Sequence, residues 1–255
     1  MYKIKFRLRG LFLLAGLWVG FGAGMTGFTE GVAANLTDFT PRVGESLEYK
    51  LILKSVIHGA NQIVQITSKE EFEGRQVFNI RSRLVSVGIV KLANNYSEVE
   101  ELKIDAGGFY PLWLRRVIRN GGKQQVEEVY FDYQKLAAER QITQDGGDAV
   151  KTTLKLPGVV QDGVSLPFFF RKGLGKSPNR IFFYSDGIIS EVVCQITLGN
   201  DPICLKSGNY TDYYQFADPE SNITIMIEGR GARVPFLTRM IAPFGKVESQ
   251  LVKIQ

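Results

Sequence analysis

Histidine is almost missing from this chain: His58 is the single one among 255 residues, and only two cysteines, Cys194 and Cys204, accompany it. That scarcity excludes several chemistries together. A Ser-His-Asp arrangement needs its histidine beside a partnered serine, whereas His58-Gly59-Ala60-Asn61 reads as a turn. The nearest string to a nucleophile elbow, Gly163-Val164-Ser165-Leu166-Pro167, has proline where the second glycine belongs. One histidine and two cysteines are too few for an ordinary N/S metal site. Gly175-Lys176-Ser177 imitates the end of a phosphate-binding loop, but Phe170 stands where its first glycine is required. No catalytic residue, metal or cofactor is expected, and the protein reads as a non-enzyme.

There is also no internal repeat, no low-complexity tract and no linker after the N-terminal segment. One β-rich domain is expected over residues 35–255. Excess charge is small as well. Four of the 31 basic and one of the 26 acidic residues lie in the first 34, so the net charge of +5 falls to +2 without them. The sequence pI of 9.1 is therefore poor evidence for a nucleic-acid partner, and none is expected. The basic group Arg115, Arg116, Arg119 and Lys123 reads as a solvated strand face beside a turn.

What the N-terminus has is a tripartite export signal. Lys3, Lys5, Arg7 and Arg9 precede an apolar stretch from Leu11 to Val19, and Val32-Ala33-Ala34 supplies small residues for a signal peptidase. Cleavage between Ala34 and Asn35 follows, leaving residues 1–34 as signal peptide and a periplasmic remainder. The rival is an uncleaved anchor, since no charge occurs between Arg9 and Glu30. Six glycines from Gly10 to Gly27 interrupt that window, which favours cleavage and leaves no stable membrane span.

The remainder alternates with period two. Leu47, Tyr49, Leu51 and Leu53 share one face of an opening strand. About a dozen further short runs follow, punctuated by Ala106-Gly107-Gly108, Asn120-Gly121-Gly122, Asp145-Gly146-Gly147-Asp148 and Asp186-Gly187. This predicts an all-β, mainly antiparallel fold: a large curved meander sheet, partial barrel or sandwich, with one or two short helices. Asp162 to Arg171 breaks the alternation. Asp162 can cap a short helix with Ser165 in its first turn, and Phe168, Phe169 and Phe170 can then be buried against a sheet.

Cys194 and Cys204 flank Gly199-Asn200-Asp201-Pro202, which reads as a hairpin turn. Facing positions across it would bring the two sulfurs within bonding range, so a structural disulfide is expected in an oxidising compartment. Carboxylates gather as Glu98, Glu100 and Glu101 and as Glu127 and Glu128. Paired acids can hydrolyse glycosides, but Glu98 and Glu100 alternate with Val99 as a solvated face does.

The chain resembles the bacterial exported proteins grouped as domain of unknown function 3108. The likeness rests on Gly44-Glu45 before the Leu47, Tyr49 alternation, on Phe109-Tyr110-Pro111, on Asp162, Ser165 and Arg171 about the phenylalanine cluster, and on Arg233-Val234-Pro235 before the last strands. The resemblance implies a periplasmic or surface domain with a strongly curved sheet, similar to lipoprotein-carrier half-barrels, and no catalytic residues to carry over. The two cysteines are not part of its pattern. Four Asn-x-Ser/Thr sequons, at Asn35, Asn95, Asn209 and Asn222, are coincidental in a bacterial setting.

Two functions are therefore expected in competition. One is a non-enzymatic envelope protein that binds a lipid or acyl chain inside the sheet, with Phe168, Phe169 and Phe170 as a lid over a cavity lined by residues such as Trp113. The other is a structural or interaction module with a solid core that docks an envelope protein partner. The 17 Phe, 10 Tyr and 2 Trp suit either, because aromatics dominate cores. Intact mass of the exported protein is expected to show loss of residues 1–34; a full-length species would overturn the cleavage.

Overall fold

The computed structural model describes residues 39–174, 180–218, 222–242 and 245–255. The signal peptide and the Ala34–Asn35 cleavage site lie outside the described residues. Alternating apolar residues produce the expected strands. The chain opens with β1 (Ser46–Leu53), β2 (Ile57–Phe72), β3 (Arg75–Ser86), β4 (Tyr96–Asp105), β5 (Pro111–Asn120), β6 (Lys123–Asp132), β7 (Ala137–Gln144) and β8 (Val150–Lys155). These pair as an antiparallel meander. The β5–β6 turn is the two-residue Gly121-Gly122, with φ of 57° and 86°, the primed geometry whose twist matches the flanking strands.

Five more strands continue the same sheet beyond β1: β12 (Gln195–Gly199), β15 (Tyr213–Asp218), β16 (Ile223–Glu228), β17 (Pro235–Ala242) and β18 (Gly245–Ile254). The strand order is β12-β15-β16-β17-β18-β1-β2-β3-β4-β5-β6-β7-β8, thirteen strands that do not close on themselves. The last strand returns to pair the first, Leu47 facing Ile254 and Leu53 facing Val247. A small sheet of β9 (Val160–Gln161), β10 (Arg180–Ser185) and β11 (Ile188–Val193), and a hairpin of β13 (Ile203–Leu205) and β14 (Gly208–Tyr210), complete the strands.

Two short helices interrupt them. α1 (Gly88–Ala93) buries nothing, whereas α2 (Ser165–Lys172) buries Leu166, Phe168, Phe170 and Arg171. Asp162 prepares α2 as the sequence implies. Its Oδ1 accepts from Val164 N at 2.7 Å and Ser165 N at 3.0 Å, while Ser165 Oγ accepts from Asp162 N, a reciprocal cap one turn ahead of the helix. The three phenylalanines then separate by helical angle. Phe168 joins the core on β2–β6, Phe170 joins the core on β15–β16, and half-buried Phe169 touches both. Phe170 stacks on Phe216 with ring centroids 4.0 Å apart. One helix thus ties together two distant stretches of the sheet.

Three sequence expectations fail for a topological reason, and those on the carboxylates, the basic cluster and the lid are corrected with the site below. His58 is not in a turn: Lys54 and Ser55, at φ 49° and 63°, turn the chain earlier, and His58 is the second residue of β2, bonded to Asn61 at 2.7 Å. The Cys194–Cys204 disulfide is absent, and both thiols are free. Residues 195–199 and 203–205 are not hairpin partners: β12 pairs β15, while β13 pairs β14. Cys194 is consequently buried against Phe216 and Ile225, and Cys204 is exposed in the separate hairpin. Trp113, the third, is treated with the cavity below.

Thiol titration tests the cysteine assignment directly. Burial, with Asp218 nearby, pushes the Cys194 thiol up to about 11, so it lacks both access and thiolate. At pH 8 one thiol per chain, Cys204, is expected to react quickly, and the second only on unfolding. Two fast thiols, or none without reductant, would overturn this arrangement.

Candidate functional site

The inner face of the sheet is set by strand parity. On β4, Tyr96, Glu98, Glu100, Leu102 and Ile104 point inward; on β5, Leu112, Leu114 and Arg116; on β6, Glu127, Val129 and Phe131. Toward one end of these strands the inward residues change from apolar to charged. Glu98 and Glu100 are thus not a solvated face, and Arg116 is not part of an exposed basic cluster. The alternation was legible, but the charged residues share parity with the core rather than opposing it. Arg115 and Lys123 do remain exposed.

Arg116, 3% exposed, is the centre of this group. Its Nη2 donates to Glu100 Oε1 at 3.1 Å, its Nη1 to Glu127 Oε2 at 3.3 Å, and its Nε lies 3.4 Å from Glu98 Oε1. Asp186, in the β10–β11 turn, is 3.6 Å from Nη1. Glu127 is fully buried and also accepts from Arg140 Nε at 2.6 Å and Tyr184 OH at 2.5 Å. Tyr96 OH donates to Glu98. Gly187 is required beside it: its φ is 83°, and a Cβ there would lie 2.6 Å from the Arg140 guanidinium.

Burial dominates the electrostatics. Desolvation raises Glu98 and Asp162, and it raises Glu100 to about 8 even against the pull of Arg116. For Arg116 burial alone would favour the neutral form, but the three carboxylates, Glu100 foremost, override it and hold the guanidinium charged. Burying this many charges is costly unless each is paired. Asp162 Oδ2 and Ser185 Oγ, both buried, have no hydrogen-bond partner among the described residues.

Of these groups Glu98, Glu100, Arg116, Tyr184 and Ser185 border a cavity of about 140 Å³ between α2, β10 and the inner face of the sheet. Its walls come from β1 to β5 and from β16 to β18, which requires the sheet to curve round them. Leu47, Leu84, Phe168, Phe183, Ile225 and Met240 make the apolar part; Glu98, Glu100, Arg116 and Ser185 make the polar part. Of the expected lid residues only Phe168 reaches it; Phe169 and Phe170 pack elsewhere. Trp113 does not line it, because its parity turns it to the outer face. There it packs on Tyr130 and donates to Glu128 Oε1 at 2.8 Å.

The remaining singled-out residues gather at the far end of α2. Arg171 is 0% exposed; it donates to Glu45 through Nη1 at 2.5 Å and Nη2 at 3.0 Å, and to the Ala232 carbonyl at 3.0 Å. Its guanidinium lies under the Phe39 ring at 4.2 Å. Arg233 Nη1 donates to the Arg171 carbonyl at 3.3 Å, and the Pro235 carbonyl accepts from Tyr49 OH at 2.9 Å. Asp162, Ser165, Arg171 and Arg233, scattered in sequence, serve to seat one helix, whereas Pro235 ties β17 to Tyr49 of β1. No group of His, Cys, Asp and Glu suited to a metal ion occurs among the described residues, nor is any helix there long and apolar enough to cross a membrane.

A family model described as protein of unknown function (DUF3108) matches residues 48–252. A β-barrel-like protein of domain of unknown function DUF1849 from Brucella abortus is 12% identical, with a TM-score of 0.53, covering 86% of this chain and 99% of that one. That likeness shows the fold alone. An exported protein with YmcC-like fold from Bacteroides fragilis is 7% identical over 86% of this chain and 98% of its own, with a TM-score of 0.34. A lipoprotein from Parabacteroides distasonis is 9% identical over 85% and 97%, at 0.30. No curated protein matches the chain.

The raised carboxyls make stability depend on pH in a stated direction. Glu100 titrates at about 8 when folded against an ordinary 4.5, so between those values the folded state keeps a proton the unfolded chain releases. Stability is expected to fall as pH rises through that window. Glu100→Gln, permanently neutral, is expected to flatten the dependence and to exceed the parent in stability at pH 8. Denaturant melts at pH 5 and 8 measure this; an unchanged slope would refute the buried assignment.

Proposed function

The chain belongs to the DUF3108 family of proteins of unknown function, and from its interior we infer a non-enzymatic, exported envelope protein that holds a small apolar group inside the half-barrel. The observation that carries this reading is the cavity of about 140 Å³ under Phe168. An engineered apolar cavity of about 150 Å³ takes up benzene, so the space suits a ring or the end of an acyl chain. It is below the ~300–1,000 Å³ of sites that enclose drug-sized molecules. A whole lipid therefore does not fit while α2 stays in place. The export signal supports a periplasmic location, and the single domain over residues 35–255 is part of the same proposal.

A second reading, docking of an envelope protein partner, is favoured by the two open edges of the sheet. Among the described residues neither β8 nor β12 has a neighbour on its outer side, and Leu198 on β12 is 66% exposed. An unpaired edge is a ready template for an added strand.

Native mass spectrometry of the protein from the periplasmic fraction, with organic extraction, separates the two. A bound small apolar molecule is expected, lost at least about tenfold in the cavity-filling variant Leu84→Trp, a loss worth about 1.4 kcal/mol. Circular dichroism establishes that the variant is folded. A clean apo mass for the parent would overturn the binding reading in favour of docking.

A further inference from the structure

The cavity wall is balanced in charge yet keeps hydrogen-bond donors idle, and the two facts together say what an occupant carries. This inference rests on the binding reading above and deepens it. Two guanidiniums, Arg116 and Arg171, and two carboxyls, Glu98 and Glu100, stand on the wall. Neither arginine has charge to spare. Arg171 is paired with Glu45 through both Nη1 and Nη2, and Arg116 has Glu98, Glu100 and Glu127 around it. With neither sign in excess, a charged occupant of either kind would lose its hydration without gaining a free counter-charge.

The donors are a separate matter. A guanidinium donates hydrogen bonds and cannot accept them. Arg171, 0% exposed, spends its Nη atoms on Glu45 and the Ala232 carbonyl, and its Nε has no hydrogen-bond partner among the described residues. Arg116 Nε and Ser185 Oγ, on the same wall, are likewise buried and make no hydrogen bond there. Arg116 Nε does lie 3.4 Å from Glu98 Oε1, which leaves Arg171 Nε as the clearest idle donor. Gln161 Nε2 and Asp162 Oδ2 also lack partners, but neither residue is on the wall. A buried donor without an acceptor is costly, and one on a cavity wall is satisfied by an occupant that brings an acceptor. The Phe168 ring, part of the apolar wall, lies 5.3 Å from the Arg171 guanidinium, so donor and apolar surface adjoin.

We propose that the cavity binds a small neutral molecule with a hydrogen-bond-accepting oxygen, that of a ketone or an ester. The oxygen receives Arg171 Nε–H while the apolar body lies against Phe168. The ester-linked end of an acyl chain meets both demands, because its carbonyl accepts and carries no charge. An ammonium would bring more donors to a wall that already has idle ones. A carboxylate would bring acceptors together with a charge that Glu45 and the Arg116 carboxylates have already offset.

An NMR titration of the full exported protein with four compounds of one shape tests this without any variant. Acetophenone, isopropylbenzene, benzoate and benzamidinium share ring, branch and size. The first carries a neutral acceptor, the second none, and the last two a charge of either sign. Buried without a donor, the carbonyl would weaken acetophenone at least about tenfold against isopropylbenzene. Acetophenone is instead expected to bind at least as tightly as isopropylbenzene, and at least about tenfold tighter than either ion. It is also expected to move the Arg171 Nε–H proton downfield, as a new hydrogen bond does, whereas isopropylbenzene is not. Acetophenone weaker than isopropylbenzene, either ion within about tenfold of acetophenone, or an unmoved Arg171 proton would overturn the acceptor assignment and leave the cavity reading standing. Failure of all four to bind would overturn the cavity reading and this inference with it.

Discussion

A single buried arginine holds the structure in its form. Arg171, at the last turn of α2, joins two places far from it in the chain: Glu45 ahead of β1, and the Ala232-Arg233 pair before β17, where the Ala232 carbonyl accepts from its guanidinium and Arg233 donates to its carbonyl. The Phe39 and Phe168 rings pack on the guanidinium at 4.2 and 5.3 Å. An open, curved sheet exposes an apolar concave face that must be covered. α2 and the small β9–β10–β11 sheet supply the cover, and the arginine clamps the helix in place. Removing one partner of such a pair leaves a buried charge uncompensated, a cost of about 3–5 kcal/mol.

The second constraint is the charged end of the same concave face. A solid apolar core would be the simpler way to fill a half-barrel, since buried ion pairs rarely surpass well-packed hydrophobes in stability. Here three strands each place a charge inward at matching register, Glu100 facing Arg116 and Arg116 facing Glu127. The arrangement holds open a polar pocket beside Phe168. It also makes the interior sensitive to protonation, because desolvated carboxyls titrate where ordinary ones do not.

The two constraints meet at the helix start. Asp162 uses one oxygen to seat α2 by capping its first amides and leaves the other unpartnered near the acidic pocket. The residues that fix the lid and those that shape the cavity are therefore mechanically joined.

Period-two alternation, glycine turns and the Asp162–Ser165 cap determined the strands, the turns and α2, because each is a local property of backbone and side chain. What they could not determine was which strands pair beyond the nearest neighbour. The disulfide expectation failed because Cys204 lies in a hairpin of its own, while β12 turns away to pair β15. The site was half legible. Glu98 and Glu100 share parity with Leu102 and Ile104, Arg116 with Leu114, and Glu127 with Phe131; following the apolar parity along each strand, rather than the charge, finds the inward face. That Glu98, Glu100 and Arg116 meet about one cavity, with Glu127 bonded behind Arg116, depends on register across three strands and on the curvature that brings Phe168 over them. Those are long-range matters that only the tertiary structure decides.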